Sequence, residues 1–517
     1  MTSRFDVAIV GSGFAGSLTA LILRRLGLSV VLIERGAHPR FAIGESSSPL
    51  ANLLLEELCD RYGLDRIRPL CAWGSWRRAY PEVACGLKRG FTFYAHRFGE
   101  RFGRDAGRAD QLLVAASPSD EVADTHWYRA DFDAFLAAEA ERAGVVHLDR
   151  ARIERIDLAA GAEIAFERGR RRGTVRATLL VDASGPAGAL ARSLGVGAGT
   201  FPGYPETEAL YTHFEGVRRL DDMDAFASPD APYPIDDAAV HHVFPGGWIW
   251  VLRFSNGIVS AGVAAEASLA RELRLDGGEP AWERLLERLP SVREQFSGAS
   301  AVLPFVHRPR LPYRVSRAAG PGWILLPSAA AFVDPLLSTG FPLTLLGVSR
   351  LARIVEESWG RPDLGVRLGE LGRRTLDEAD AAARLTAALY ASFDDFPSFA
   401  LLTRLYFAAA SWTEAARRLG KPERARSFLL FDDPVFGPAL RRICGRAVDP
   451  DVNVRRAAVE SVGAAIESFD VVGLNDETRR NWYPVEAQDL FDNAHKLGAT
   501  REEMEEMLER TGALVRP

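Results

Sequence analysis

Phe5-Asp-Val-Ala-Ile-Val-Gly-Ser-Gly-Phe-Ala-Gly16 and, eleven residues on, Gly27-Leu-Ser-Val-Val-Leu-Ile-Glu34 decide the fold class of this chain. Phe5–Val10 is a short apolar run bounded by glycine, which suits a buried parallel strand. Ala15–Leu26 places leucine and alanine at helical spacing, and Gly27 supplies the stop. Ser29–Ile33 reads as a second, β-branched strand. Between first strand and helix lies Gly11-x-Gly13-x-x-Gly16. Two glycines let the backbone approach a pyrophosphate, the third lets helix pack on strand, and the helix N-terminus faces the anion. Glu34, about 20 residues further on, is placed to accept hydrogen bonds from a ribose. The reading is an α/β fold with a Rossmann-type sheet.

A second cluster, Gly195-Val-Gly-Ala-Gly199, follows a helical-looking stretch (Ala187–Leu194) and not a strand. It reads as a helix stop and loop, which leaves one dinucleotide site and no separate nicotinamide site. Tyr128–Ala143 reads as a helix, and Ala177–Val181 as a strand entering Asp182-Ala-Ser-Gly185. From Glu206 to Val263 the pattern turns β-rich, with alternating runs at Trp248–Phe254 and Ile258–Val263. After about Gly347 the chain reads as helical. The expected organisation is a dinucleotide-binding unit over 1–355, with a β-sheet substrate region inserted at about 206–310, and a helical region over 356–517. Amphipathic stretches at Asp451–Ser468 and Thr500–Arg510 suit the core or a second copy in a homodimer.

The composition removes several function classes. The chain has 517 residues, 47% hydrophobic and 26% charged, as expected of a soluble globular protein. Its net charge of −6 offers no electrostatic footprint for nucleic acid or an anionic membrane. Four cysteines (Cys59, Cys71, Cys85, Cys444) show no CxxC spacing, so no metal site is expected. No apolar run is long enough to span a bilayer, and Asp6 with three glycines breaks the first apolar stretch. A cytoplasmic location is expected. Of 63 basic residues only Lys88, Lys421 and Lys496 are lysines.

Gly11–Gly16, Glu34-Arg35, Ile43-Gly-Glu-Ser46, Tyr128-Arg-Ala-Asp-Phe-Asp133, Asp182-Ala-Ser-Gly185 and Phe332-Val-Asp-Pro-Leu-Leu-Ser-Thr-Gly340 occur in this order. Together they resemble the flavin-dependent halogenases, within the wider group of aromatic-hydroxylase-like FAD enzymes, over roughly the first 360 residues. The resemblance implies a glutathione-reductase-like FAD domain with an inserted β-sheet. It implies FAD supplied in reduced form by a separate flavin reductase, with oxygen and chloride or bromide as co-substrates. Gly11, Gly13, Phe14, Ala15 and Gly16 would hold the pyrophosphate, and Glu34 with Arg35 the AMP ribose. Glu45, Ser46 and Ser47 would lie in the loop beside the flavin. Arg129 would approach the phosphates or ribityl chain unless it is a charge-paired helix arginine. Asp182, Ser328, Asp334, Gly340 and Phe341 complete the implied cofactor set, with Thr339 and Gly340 near a halide.

Lys88, in Cys85-Gly-Leu-Lys-Arg-Gly-Phe-Thr-Phe-Tyr94, resembles the family's catalytic lysine. An amine can hydrogen-bond hypohalous acid or, once burial lowers its pKa, become N-halogenated, which arginine cannot readily do. Phe93, Tyr94, Tyr211, Trp248 and Trp250 are the expected substrate-side residues, and His96, His126, His213, His241 and His242 the candidates for a general base. Phe399–Trp412 reads as a buried helix that either covers the substrate site or caps the core.

Three departures bear on substrate and activity. Leu252-Arg253 stands where the family's tryptophan pair is followed by Ile-Pro. Leu337 stands where tryptophan halogenases carry a glutamate, which argues against a tryptophan-type site and towards phenol-, pyrrole- or other self-activating substrates. The expected acceptor class is an electron-rich phenol-, pyrrole- or indole-like ring, free or tethered to a carrier protein. Pro327-Ser328 replaces the Gly-Asp of the hydroxylases. The competing readings are an FAD monooxygenase or oxidase without halide, and a non-catalytic flavin-binding redox module.

Overall fold

A computed structural model describes residues 2–514 apart from 104, 106 and 160. The strand Thr2–Val10 runs parallel to Val30–Ile33 on one side and to Arg171–Asp182 on the other. Trp323–Leu325 continues the parallel set beyond Asp182, and Val146–Leu148 beyond Ile33. Val7, Ala8 and Ile9 are fully buried because both faces of the sheet are covered. The helix Phe14–Arg25 returns over one face, so the Rossmann reading of the opening residues stands.

A second, nine-stranded sheet crosses the molecule. Its strand order is Ser300–Ala301, Thr207–Glu215, Val259–Glu266, Gly247–Arg253, Ala239–Phe244, Gly90–Ala95, Gln111–Ala115 and Trp482–Tyr483, with Val306–Arg308 also paired to Thr207–Glu215. The sheet therefore reaches outside the expected 206–310. Two strands come from before residue 120 and one from after residue 480. The expected boundary at 355 likewise falls inside the helix Gly340–Ser358. One apolar core runs from Val7 to Leu508 across that boundary, so the helical region shares its core with the dinucleotide unit.

Period-2 alternation sorts the second sheet into two faces. Trp248, Trp250 and Leu252 enter the main core, while Ile249 and Val251 enter a separate one under the helix Glu279–Arg288. The main-core face packs against helices Leu364–Tyr390 and Phe396–Arg418. Cys85–Lys88 and Asp124–Trp127 form a separate two-stranded antiparallel pair. The Gly195–Gly199 stretch ends the short helix Ala189–Ser193 and enters a two-residue strand paired with Tyr313–Val315. No described helix is long and apolar enough to cross a membrane.

The glycine motif carries its own steric test. Gly11 has φ +99°, and a Cβ there would lie 2.6 Å from the Ala183 carbonyl oxygen. Gly27 has a similar φ of +89° with nothing within 4 Å of its virtual Cβ. Gly27→Ala is expected to cost about 1 kcal/mol, the left-handed strain alone. Gly11→Ala adds overpacking and is expected to cost about 3 kcal/mol. Urea unfolding of the two variants measures the difference.

Candidate active site

The helix Phe14–Arg25 starts beside two guanidinium groups. A Cβ on Gly13 would lie 3.5 Å from Arg129 Nη2 and 3.6 Å from Arg40 Nη2. Gly13 provides no side-chain cap, and the Phe14 amide donates to Asp133 Oδ1 at 3.2 Å. Glu34 sits at the end of its strand and accepts from the amides of Ser12 (3.0 Å) and Gly36 (2.8 Å). Burial alone would raise its carboxyl, but these amides and Arg40 outweigh it and hold Glu34 below the ordinary value. A helix start without a side chain at Gly13 and an acidic strand end fit the anionic and ribose parts of FAD, while Asp133 Oδ2, 3.5 Å from the same virtual Cβ, is neutralised by Arg129. Arg35 is exposed.

Arg129 is spent within the fold. Its Nε and Nη2 pair with Asp133 (2.8 and 2.7 Å), and Nη1 donates to the Ile43 and Gly44 carbonyls (3.2 and 3.0 Å). It thereby ties the loop carrying Glu45, Ser46 and Ser47 to the cradle. Asp182 orders its own loop by accepting from the Ser184 and Leu190 amides, both at 2.8 Å. Ser328, Asp334, Thr339 and Gly340 meet around a small cavity of about 40 Å³. It lies at the start of the helix Gly340–Ser358, where Thr339 makes no side-chain cap. Phe341 packs instead on Phe14 and Trp127.

Lys88 is completely buried. Its Nζ donates to Ser46 Oγ (3.0 Å), to Ser338 Oγ (3.3 Å) and to the Ser47 carbonyl, and stands 3.8 Å from the centroid of the Phe91 ring. Ser338 Oγ also donates to Ser46 Oγ at 3.0 Å. Across the antiparallel pair Lys88 is in register with Asp124, another buried residue. Asn52 Nδ2 donates to Asp124 Oδ1 at 3.0 Å, while Oδ2 has no partner among the described residues. Burial pulls the Lys88 amine down to about 7, with the Asp124 charge opposing the fall. Burial pushes the Asp124 carboxyl upward. Beyond the Phe91 ring lies a cavity of about 170 Å³, walled by Pro49, Phe91, Tyr406, Phe407, Glu414 and Tyr483 among others.

Residues 6–333 match the FAD dependent oxidoreductase family. The chain is 31% identical over 420 residues to tetracycline 7-halogenase of Kitasatospora aureofaciens, covering 78% of this chain and 73% of that protein. The chain belongs to the flavin-dependent halogenases. Monodechloroaminopyrrolnitrin halogenase PrnC of Pseudomonas fluorescens is 28% identical, over 78% of this chain and 71% of its own. The halogenase PltM, solved with phloroglucinol and FAD, shares the fold with a TM-score of 0.79 over 92% of this chain and 99% of its own, at 24% identity. FAD is thus the cofactor of this halogenase and halide its co-substrate.

The structure sorts the halogenase's expected substrate residues into two places. Phe93, Trp248, Trp250 and Tyr211 form one aromatic row on the main-core face, joined through His241. Tyr94 cannot join them, because neighbouring strand residues face oppositely; it packs on Phe102 and Phe226 in the second core. None of the five lines the 170 Å³ cavity, whose aromatics from the sheet are Phe91 and Tyr483. The helix Phe396–Arg418 forms a wall of that cavity through Tyr406, Phe407 and Glu414. Arg253 is structural: its Nε pairs with Asp236 at 2.8 Å and its Nη atoms hold the Val217 and Arg218 carbonyls.

The histidines are committed elsewhere. His96 Nε2 meets His242 Nδ1 at 2.9 Å, and His242 Nε2 meets Gln295 Oε1 at 2.9 Å, on the face away from Lys88. His126 Nε2 bonds the Ala238 carbonyl, His241 Nδ1 the Thr92 carbonyl, and His213 Nε2 meets Glu45 Oε1 at 3.0 Å. Burial lowers His96, His126, His241 and His242, which keeps them neutral. Asp124 and Ser338 went unrecognised in the sequence. Ser338 lies in the quoted Ser-Thr-Gly stretch, but nothing local shows its side chain meeting Lys88.

With the amine near pH 7, its neutral fraction grows as pH rises through that value. If the neutral amine reacts, kcat/KM for halogenation climbs across that range and then levels. Asp124 raises the lysine's pKa, so Asp124→Asn is expected to move the rising limb to lower pH. A requirement for the charged amine would give a falling limb instead. A pH series of kcat/KM for both proteins decides the form.

Proposed function

We propose that this halogenase delivers halogen from hypohalous acid to an electron-rich phenol-, pyrrole- or indole-like ring bound beyond Phe91, with Lys88 guiding the oxidant. The observation that carries the proposal is the position of the Lys88 amine. It is dry, held by three oxygens, and lies against the same ring that walls the 170 Å³ cavity. Bound reduced FAD supplies the electrons with which oxygen and halide become hypohalous acid. Lys88 then either holds the acid by hydrogen bonds or reacts as R–NH₂ + HOX → R–NHX + H₂O, passing X⁺ to the substrate carbon and regaining its own proton count as the ring loses one.

Several features support the partners of this reaction. Thr339 and Gly340 offer a halide the uncapped start of the 19-residue helix Gly340–Ser358, beside a cavity the size of one ion. The Gly195–Gly199 stretch lacks a strand-to-helix turn, which supports a separate flavin reductase as the electron source. Relatives at 31% and 28% identity are named for tetracycline and monodechloroaminopyrrolnitrin, and others at 24% and 25% for pyrrole-2-carbonyl groups on a peptidyl carrier protein, which supports an aromatic acceptor that is either free or carrier-tethered.

Incubation with FAD, a flavin reductase, NADH, oxygen, bromide and a panel of phenols, pyrroles and indoles tests the proposal. Mass spectrometry should show the bromine isotope doublet with wild type. Lys88→Met removes a general catalytic group and is expected to lower its yield by about 10²-fold or more. A doublet that survives in the variant would mean free hypobromous acid and no guiding role for the lysine. Oxygenated products without bromine would move the acceptor chemistry to a monooxygenase.

A further inference from the structure

Two residues that line the cavity beyond Phe91 carry buried hydroxyls that no described residue engages. Ser117 Oγ and Tyr483 OH belong to residues only 4% and 2% exposed, and have no hydrogen-bond partner among the described residues. Leaving a buried hydroxyl unpaired is costly, and each such group in a well-packed protein calls for a partner. Tyr406, also on the wall, is the contrasting case: its hydroxyl is engaged by Ser48. Glu414, the carboxylate of the wall, is held by Arg418 Nε at 2.8 Å. Among the described residues of the wall, the buried hydroxyls left without a partner are those of Ser117 and Tyr483.

The backbone of both residues is tied to the segment around the lysine. The amides of Ala116 and Ser117 donate to the Arg89 carbonyl (2.7 and 3.3 Å), and Arg89 Nε returns a bond to the Ser117 carbonyl at 3.3 Å. Arg89 is the residue after Lys88. Tyr483 comes from the far end of the chain, where Trp482–Tyr483 adds a parallel strand to Gln111–Ala115 with Tyr483 in register with Val114. Ser117 therefore lies two residues past the end of the strand Gln111–Ala115, beside which the strand bearing Tyr483 is the outermost of the sheet.

Size limits what they can hold. The cavity's volume of about 170 Å³ is close to that of an engineered cavity of about 150 Å³ known to take up benzene. Phe91, Phe407 and Met507 supply an apolar lining that suits a flat ring.

We propose that Ser117 and Tyr483 are the specificity-determining residues of this site, and that the acceptor is a single aromatic ring carrying two hydrogen-bonding substituents. This rests on the reading of the cavity as the acceptor site. Larger acceptors present one such ring to the cavity and leave the remainder outside it.

The test uses FAD-loaded enzyme with resorcinol and 1,3-dimethoxybenzene, two similarly electron-rich rings of which only the first can donate hydrogen bonds. Binding is read by saturation-transfer NMR without halide, and bromination by mass spectrometry. Wild type should bind resorcinol and discard the dimethoxy compound by about 10²-fold in kcat/KM. Tyr483→Phe and Ser117→Ala should each raise KM for resorcinol about tenfold with kcat nearly unchanged. Because neither hydroxyl has a partner in the fold, both variants should melt at or above the wild-type temperature without ligand. Ala410→Phe, which fills the cavity from the helix Phe396–Arg418, should abolish resorcinol binding while FAD remains bound.

KM values within twofold of wild type in both hydroxyl variants would overturn the assignment, as would a fall in their melting temperature, which would reveal partners inside the fold. Absence of resorcinol binding to wild type would overturn it also. Resorcinol binding that depends on the two hydroxyls, without any brominated product, would support the assignment and overturn the halogen-transfer reading alone.

Discussion

Keeping one amine dry is the constraint on which the rest of this site depends. Transferring a lysine from water to a protein interior is unfavourable unless its donors are met. At Lys88 the three N–H donors meet two serine hydroxyls and a carbonyl, and the face of Phe91 supplies the remaining contact. The hydrogen-bond partners come from two distant segments, so the lysine is buried only when the loop at 46–47, the strand at 85–88 and the turn at 336–340 have all assembled. The strand itself is steeply limited. A Cβ on Gly86 would lie 2.0 Å from the Arg253 carbonyl oxygen, so any other residue there would displace the segment that carries Lys88. Arg253 is anchored by Asp236 and thereby sets the strand against which Gly86 packs.

The turn that carries Ser338 stores strain at the site. Leu337 and Ser338 have φ of +62° and +54° although neither is glycine. Such residues cost about 1–3 kcal/mol each and persist where surrounding structure over-determines them. Here Asp334 accepts from the Leu336 amide at 2.9 Å, and its other oxygen accepts from the Tyr390 and Tyr204 hydroxyls at 2.8 and 3.3 Å. Burial pushes the Asp334 carboxyl up to about 6, and the two tyrosines stabilise its charged form. An acidic residue of the family motif thus acts as a bracket that forces a serine hydroxyl towards an amine.

The parts of the site that were legible in the sequence are those whose chemistry is local. Gly11, Gly13, Gly16 and Glu34 follow one another within a single strand–helix–strand unit, and spacing along the chain equals spacing in space. Lys88 was legible for a different reason, the near absence of lysine elsewhere. Asp124 and Tyr483 were not, because strand pairing brings them to Lys88 and Val114, and register cannot be read from one sequence. Tyr94 shows the opposite case. Strand alternation already separates it from Phe93, and aromatic character alone is a poor guide to which face a side chain takes.

The pairing of Trp482–Tyr483 with Gln111–Ala115 has a consequence for how the protein is made. The cavity wall begins at Pro49 and ends at Ala513. During synthesis the N-terminal sheet can fold while the remaining chain is still being added, at a pace of about 5–20 residues per second. The chamber stays without its outer wall until the last of these residues has emerged. A growing chain can therefore gather its cofactor cradle well before it has a compartment in which a reactive oxidant could be confined.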